Sequence, residues 1–163
     1  MKTKLASGLV LGFLLTASSS EPAAAQTKAA LIKSASFIHA GTGLVVIVDI
    51  AVGGSTRHFL LDTGSSITVL SPDTALWSPV EAVNSLSRRS IVGIDGSTHS
   101  AASTTAALDF GQTIVVTPAT VAELTGLSKA LHIKLDGVLG QDVLSRFSRV
   151  TVDYKNKQLI FEK

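Results

Sequence analysis

The segment FLLDTGSS, residues 59–66, places one acidic side chain directly after an apolar run. A carboxylate in this setting loses hydration, which is costly unless the group is paired, hydrogen-bonded or used in chemistry. Gly64 lets the backbone turn sharply just after Asp62, and Thr63 supplies a hydroxyl that can hold the loop rigid. Two interpretations stay open on these residues alone: Asp62 stabilises a turn, or it is a catalytic carboxylate.

Two later segments could complete a site around Asp62. The first is IVGIDG, residues 91–96, whose Asp95–Gly96 pair is typical of a tight hairpin turn. Such a hairpin, about thirty residues after the aspartate, could close over a substrate as a lid. The second is LDGVLGQDVLSRF, residues 135–147, which joins the end of a buried strand to a short helix.

The elements predicted around these segments are mostly strands. GLVVIVDIAV and RHFLLDTG, separated by GGST, favour a hairpin, and SITVL favours a further short strand. Residues 106–124 indicate two more strands around Gly111, and RVTVDYKNKQLIFEK ends the chain as an amphipathic hairpin. Many short strands with frequent turns and little helix predict a small all-β barrel or sandwich.

The N-terminal segment, residues 1–25, has the pattern of a secretory signal peptide. Two lysines precede the apolar run LASGLVLGFLLTA, and PAAAQ offers a cleavage site after Ala25. The run is short for a membrane span, so we expect an exported protein, periplasmic or secreted, with an uncleaved N-terminal anchor as the alternative. Residues 26–36 are expected to form a linker or a loose first strand, and residues 37–163 one domain.

Composition limits the function classes that remain. The chain has 163 residues, of which 45% are hydrophobic and 16% charged, as in a globular protein. The net charge is only +2, and Arg88–Arg89 is the one adjacent basic pair, so we expect no nucleic-acid partner. No cysteine is present to form a disulfide, and the four histidines lack metal-ligand spacing, so no metal is expected. The glycines at 41–43 and 53–54 lack the strand-to-helix setting of a phosphate-binding loop, so no other cofactor is expected either.

Together, these segments resemble a known enzyme family. FLLDTGSS resembles the active-site loop of aspartic peptidases. LDGVLGQDVLSRF resembles the hydrophobic-glycine segment and helix of the single-lobe, retropepsin-like branch, particularly its exported bacterial members. The likeness extends from about residue 43 to residue 163. It implies an all-β, single-lobe acid-protease fold, a closed barrel with one short helix near the C-terminus.

The resemblance also implies an activity. Two-lobed relatives carry two DTG loops, whereas this chain carries one, so the family pattern implies a homodimer that hydrolyses peptide bonds in peptide or protein substrates. Asp62 of each chain would contribute to a shared pair that activates a water. The alternative is a catalytically silent peptide-binding module of the same fold, which would hold an extended chain without cutting it.

Supporting roles follow from the resemblance for three groups of residues. Support of the active-site loop is expected from Thr63, Gly64 and Ser65. A flap that binds the substrate is expected from Val92, Gly93, Ile94, Asp95 and Gly96. A buttress beneath the loop is expected from Val138, Leu139 and Gly140. Gln141 and Ser66 replace an arginine–acid pair common in viral relatives, so the dimer interface of the viral enzymes is not carried over to this chain.

Overall fold

The computed structural model describes residues 30–41, 43–78, 88–92 and 98–163. The predicted signal peptide, residues 1–25, and the predicted flap tip, residues 93–96, lie outside these ranges. Among the described residues, no helix has the length and apolar character needed to cross a membrane.

Strands dominate the described part of the chain. They are β1 (Ala30–Ala40), β2 (Gly43–Val52), β3 (Ser55–Leu61), β4 (Val69–Leu70), β5 (Arg88–Val92), β6 (Thr98–Asp109), β7 (Ile114–Val121), β8 (Gly137–Leu139), β9 (Arg149–Asp153) and β10 (Gln158–Glu162). The helices are α1 (Pro72–Leu76), α2 (Thr125–Leu131) and α3 (Gln141–Leu144). The all-β prediction is confirmed, and α3 is the short helix expected near the C-terminus; α1 and α2 are two further short helices.

Six strands close into a ring. Hydrogen-bonded neighbours follow the order β6–β7–β4–β8–β3–β2, and Ala51 of β2 pairs with Asp109 of β6, which joins the two ends. This ring is consistent with the expected closed architecture. Strand β8 lies between β3, to which it is parallel, and β4, to which it is antiparallel. The carboxyl ends of β3 and β8 therefore meet at one edge, and Asp62 directly follows β3.

Apolar side chains that alternate along the strands fill the interior. Val48 and Ile50 on β2 are fully buried, as the two-residue period of a strand requires for its inward face. Phe110, Phe147 and Phe161 pack against one another with ring centroids 5.2, 5.1 and 4.9 Å apart. The two pairs that include Phe110 are edge-to-face, an arrangement that adds roughly 0.5–1.5 kcal/mol per pair beyond burial.

The turn between β2 and β3 fixes the register that presents Asp62. Gly53 and Gly54 both have left-handed backbones, with φ of 59° and 78°, as the two central residues of a type I′ hairpin turn require. The resulting register places Phe59 opposite Val48, and both side chains are fully buried. Since β3 is anchored in the core up to this point, the position of the following carboxylate is set by the strand.

The N-terminal strand joins the ring to the C-terminal hairpin. The first half of β1, Ala30 to Ser34, pairs with β10, and its second half, Ala35 to Ala40, pairs with β2. For residues 26–36, the sequence predicted either a linker or a loose first strand. The structure describes a strand from Ala30 onward, which crosses the predicted domain boundary at residue 37, because it pairs with two neighbours and buries Leu31 in the core.

Candidate active site

Asp62 lies one residue beyond β3, where β3 and β8 run in parallel. Its backbone N–H donates to the carbonyl oxygen of Leu139 at 3.1 Å, so the strand pairing extends to the aspartate itself. The chain then turns, and the N–H of Ser65 donates to the carbonyl oxygen of Asp62 at 3.3 Å. Two neighbouring strands and a hydrogen-bonded turn therefore position the carboxylate.

The Asp62 carboxylate is half-buried and is held on one side. The backbone N–H of Gly64 donates to its Oδ1 at 2.9 Å. Within the described ranges, Oδ2 accepts no hydrogen bond. Because a hydrogen bond to an ionised group is roughly twice as strong as a neutral one, this contact orients the carboxylate. The other oxygen is left available to a water molecule or to a second carboxyl group.

Thr63, Gly64 and Ser65 form the turn that directly follows Asp62. Thr63 and Gly64 are exposed at the tip, and the expected support of the loop by these residues stays a prediction. The hydroxyl of Ser65 donates to the carbonyl oxygen of Ile67 at 2.7 Å. This bond accompanies a bend at Ile67, so the strand predicted over residues 66–70 is wrong in length: β4 covers only its last two residues.

Val138, Leu139 and Gly140 lie directly beneath the loop. Val138 pairs with strand residues on both sides, in β3 and in β4. Gly140 lies so close to the backbone of Ile67 that an added Cβ would overlap its carbonyl group. Only glycine fits this approach without moving the loop. The three residues are therefore located where the buttress was predicted, and their effect on catalysis stays a prediction.

Gln141, the first residue of helix α3, makes two hydrogen bonds to the active-site loop. The backbone N–H of Gln141 donates to the carbonyl oxygen of Ser65 at 2.8 Å. Its side-chain Nε2 donates to the carbonyl oxygen of Thr63 at 3.0 Å. These two bonds attach both sides of the turn that follows Asp62 to the start of the helix.

A buried hydroxyl links the same loop to α3, and sequence reasoning missed it. Thr68 is fully buried, and its Oγ1 donates to Asp142 Oδ1 at 2.7 Å and accepts from the backbone N–H of Gly140 at 3.2 Å. Thr117 of β7 donates to the other carboxylate oxygen of Asp142 at 3.3 Å. The available signal was a threonine within an apolar run, because a polar group buried there needs a partner.

The hairpin predicted to carry the flap is described on both sides of its tip. Strands β5 and β6 are antiparallel, and Val92 pairs with Thr98 at the last described step before the tip. Residues 93–96, which include the other four predicted flap residues, lie outside the described part. Binding of substrate by Val92 and by this tip stays a prediction.

A cleft of about 540 Å³ lies away from Asp62. It is lined by Ser71, Pro72, Asp73, Glu123, Leu124, Thr125, Ser128, Lys129, His132, Ile133, Lys134 and Leu135. Ser71 follows β4 and Leu135 precedes β8, whereas Asp62 is near the opposite ends of these two strands. The cleft is therefore separate from the candidate active site.

Comparisons with known proteins agree with this geometry. Residues 48–143, more than half of the chain, match the family model described as aspartyl protease. No curated protein matches the chain. The chain is similar to the crystal structure of a retropepsin-like aspartic protease from Rickettsia conorii, with 18% identity, a TM-score of 0.50, and coverage of 82% of this chain and 93% of that chain. This match confirms the retropepsin-like fold, and the family-model match shows that the chain belongs to the aspartyl protease family.

Proposed function

We propose that the protein is a homodimeric aspartic endopeptidase in which Asp62 of each chain forms one shared catalytic pair. The observation that carries this proposal is the fixed Asp62 carboxylate, with one oxygen bonded to Gly64 and the other without a partner in the described residues. An aspartate that only stabilised the turn would need just the hydrogen bond from Gly64. The second oxygen, which has no hydrogen-bond partner in the described residues, belongs to a carboxylate that is held in place, as a reacting carboxylate requires.

The chemistry of this family needs two carboxyl groups. One, ionised, takes a proton from a water molecule, while the other, protonated, donates to the carbonyl oxygen of the scissile bond. Two carboxyls held in contact do not readily ionise together, so the pair shares one proton. We expect activity at acidic to mildly acidic pH, with a bell-shaped dependence, since loss of that proton or gain of a second one stops the reaction.

A second copy of the chain would supply the other carboxyl group. The sequence contains a single DTG triplet, so one chain offers one such loop. Thr63 and Gly64 are exposed beside Asp62, which leaves the tip of the loop free to meet the same loop of a partner. A two-fold axis beside this tip would bring two identical carboxylates together, as expected for an isologous dimer.

Location and substrate class are parts of the same proposal. The predicted signal peptide supports export of the protein, to the periplasm or beyond, where it would act on peptides or unfolded proteins. An extended peptide could also bind without being cut, because among the described strands β5 lies at an edge of the sheet and pairs on one side only, with β6. Cleavage therefore has to be measured separately from binding.

Substitution of Asp62 tests the proposal. We expect Asp62→Asn to abolish cleavage of a fluorogenic peptide and to leave peptide binding and the fold intact, because an amide cannot accept the water's proton. Asp73→Asn is the matched control, since Asp73 is exposed on α1 and, among the described residues, pairs only with the exposed side chain of Lys134. Undiminished cleavage by folded Asp62→Asn would contradict the mechanism, and binding without cleavage by the wild type would favour the peptide-binding module.

A further inference from the structure

Gln141 makes two hydrogen bonds to the active-site loop, and only one of them depends on its side chain. Its backbone N–H, which donates to Ser65, would be available from any residue except proline. The bond from Nε2 to the carbonyl oxygen of Thr63, at 3.0 Å, requires a donor on a side chain of this length. The side chain is exposed, so water could satisfy its amide equally well.

The carbonyl group that Gln141 contacts belongs to the peptide unit that holds the catalytic carboxylate. The carbonyl of Thr63 and the N–H of Gly64 are opposite ends of one planar amide. At one end Gln141 donates to the oxygen, and at the other the N–H donates to Asp62 Oδ1 at 2.9 Å. A donor at the oxygen restricts rotation of the peptide plane and polarises the N–H, which strengthens the second bond.

The helix itself does not require this side chain. The N-cap residue of α3 is Gly140, and no side chain caps the helix. Within the described part of the chain, the side-chain amide of Gln141 contacts only the loop. The contact therefore acts on the active-site turn rather than on the helix end.

We propose that Gln141 is a positioning residue for Asp62, which it orients through the peptide unit between Thr63 and Gly64. The hydrogen-bond chain can be tested in a protein without activity, whereas its catalytic consequence rests on the function proposed above. Since the geometry changes rather than the reacting groups, loss of the donor should lower kcat and leave KM nearly unchanged.

Two substitutions remove the donor in different ways. Gln141→Met keeps the length of the side chain and has no polar hydrogen, and Gln141→Glu is nearly isosteric but, when ionised, only accepts. Gln112→Met is the matched control, because Gln112 is an exposed glutamine in the turn between β6 and β7. The measurements are the NMR chemical shift of the Gly64 amide proton and the kinetic constants on one fluorogenic peptide.

We expect both Gln141 variants to shift the Gly64 amide proton upfield and to lower kcat by about three- to tenfold, the effect of one ordinary hydrogen bond. The control should change neither. An unmoved Gly64 resonance in both variants would overturn the proposal, as would an unchanged kcat in an active enzyme. If the wild type itself cleaves no peptide, the proposed function fails, and the Gly64 resonance still decides whether the hydrogen-bond chain exists.

Discussion

Replacement of Thr68 by valine should destabilise the protein although valine has nearly the same shape. Thr68 is fully buried and donates to the carboxylate of Asp142 at 2.7 Å. A hydrogen bond to a charged group contributes about 1.5–3 kcal/mol, and a buried donor left without a partner costs about 1–3 kcal/mol. The valine would lose the first bond and would leave the N–H of Gly140 without its acceptor.

The two contributions share one hydroxyl and are not additive, so we expect Thr68→Val to lower the free energy of unfolding by about 3 kcal/mol. For a domain of this size, that loss corresponds to a decrease in Tm of about 10 °C. Thr68→Ser keeps the hydroxyl and removes one methyl group, so it should cost only about 1 kcal/mol. Thr151→Val, on the exposed face of β9, should change stability by less than about 0.5 kcal/mol.

Urea unfolding of the four proteins at neutral pH provides the measurement. The expected order of stability is wild type and Thr151→Val first, then Thr68→Ser, then Thr68→Val. If Thr68→Val were more stable than Thr68→Ser, packing rather than hydrogen bonding would control this position. That result would refute the role assigned to the hydroxyl in joining the active-site loop to α3.

Three other results are expected. Gly140→Ala should destabilise the fold by about 1–3 kcal/mol, because the added methyl group would overlap the backbone of Ile67. Gly126→Ala, whose methyl group would lie in open space on α2, should not destabilise it. Thermal melts of the two variants and the wild type test this. The backbone N–H of Asn156, and after it the side-chain amide of the same residue, donate to Asp153 and lower its pKa below the ordinary value of 3.8. These hydrogen bonds therefore stabilise the folded state above pH 3.8, and the stabilisation is lost as the pH falls below it. Asp153→Asn should therefore be less stable than the wild type at neutral pH, with a difference that closes in acid unfolding titrations. Intact mass of the exported protein should give an N-terminus within a few residues of Gln26, and a mass that retains Met1 would instead indicate an anchored form.

Local patterns were sufficient to predict the hairpins on which the site is built, although not the length of β4. The GGST segment indicated the β2–β3 hairpin because two left-handed residues in a row strongly favour glycine. The position of Asp62 was also readable from the local sequence, because the apolar run that forms β3 ends directly before it. The C-terminal hairpin followed from alternation of apolar residues such as Leu159 and Phe161, both fully buried.

Contacts between distant segments could not be predicted from the residues alone. Thr68 and Asp142 are separated by 74 positions, and Gln141 is 78 positions from Thr63. No local propensity indicates that β3 and β8 pair in parallel, which is the pairing that brings these residues together. The short β4 was also misjudged, because the hydroxyl of Ser65 competes for a backbone carbonyl that a longer strand would use.

Mixing of active and inactive subunits tests whether two Asp62 carboxylates form one site. A fixed amount of wild-type protein is equilibrated with increasing amounts of the Asp62→Asn protein, and the rate of cleavage of one peptide is measured. In the control, the Asp73→Asn protein is added instead of Asp62→Asn. If each site needs both carboxylates, an equal amount of Asp62→Asn should reduce activity to about half, and a ninefold excess to about one tenth, because mixed dimers are inactive. The control should not reduce activity at all. Activity that stays constant as Asp62→Asn is added would show that one chain is sufficient and would contradict the shared catalytic pair.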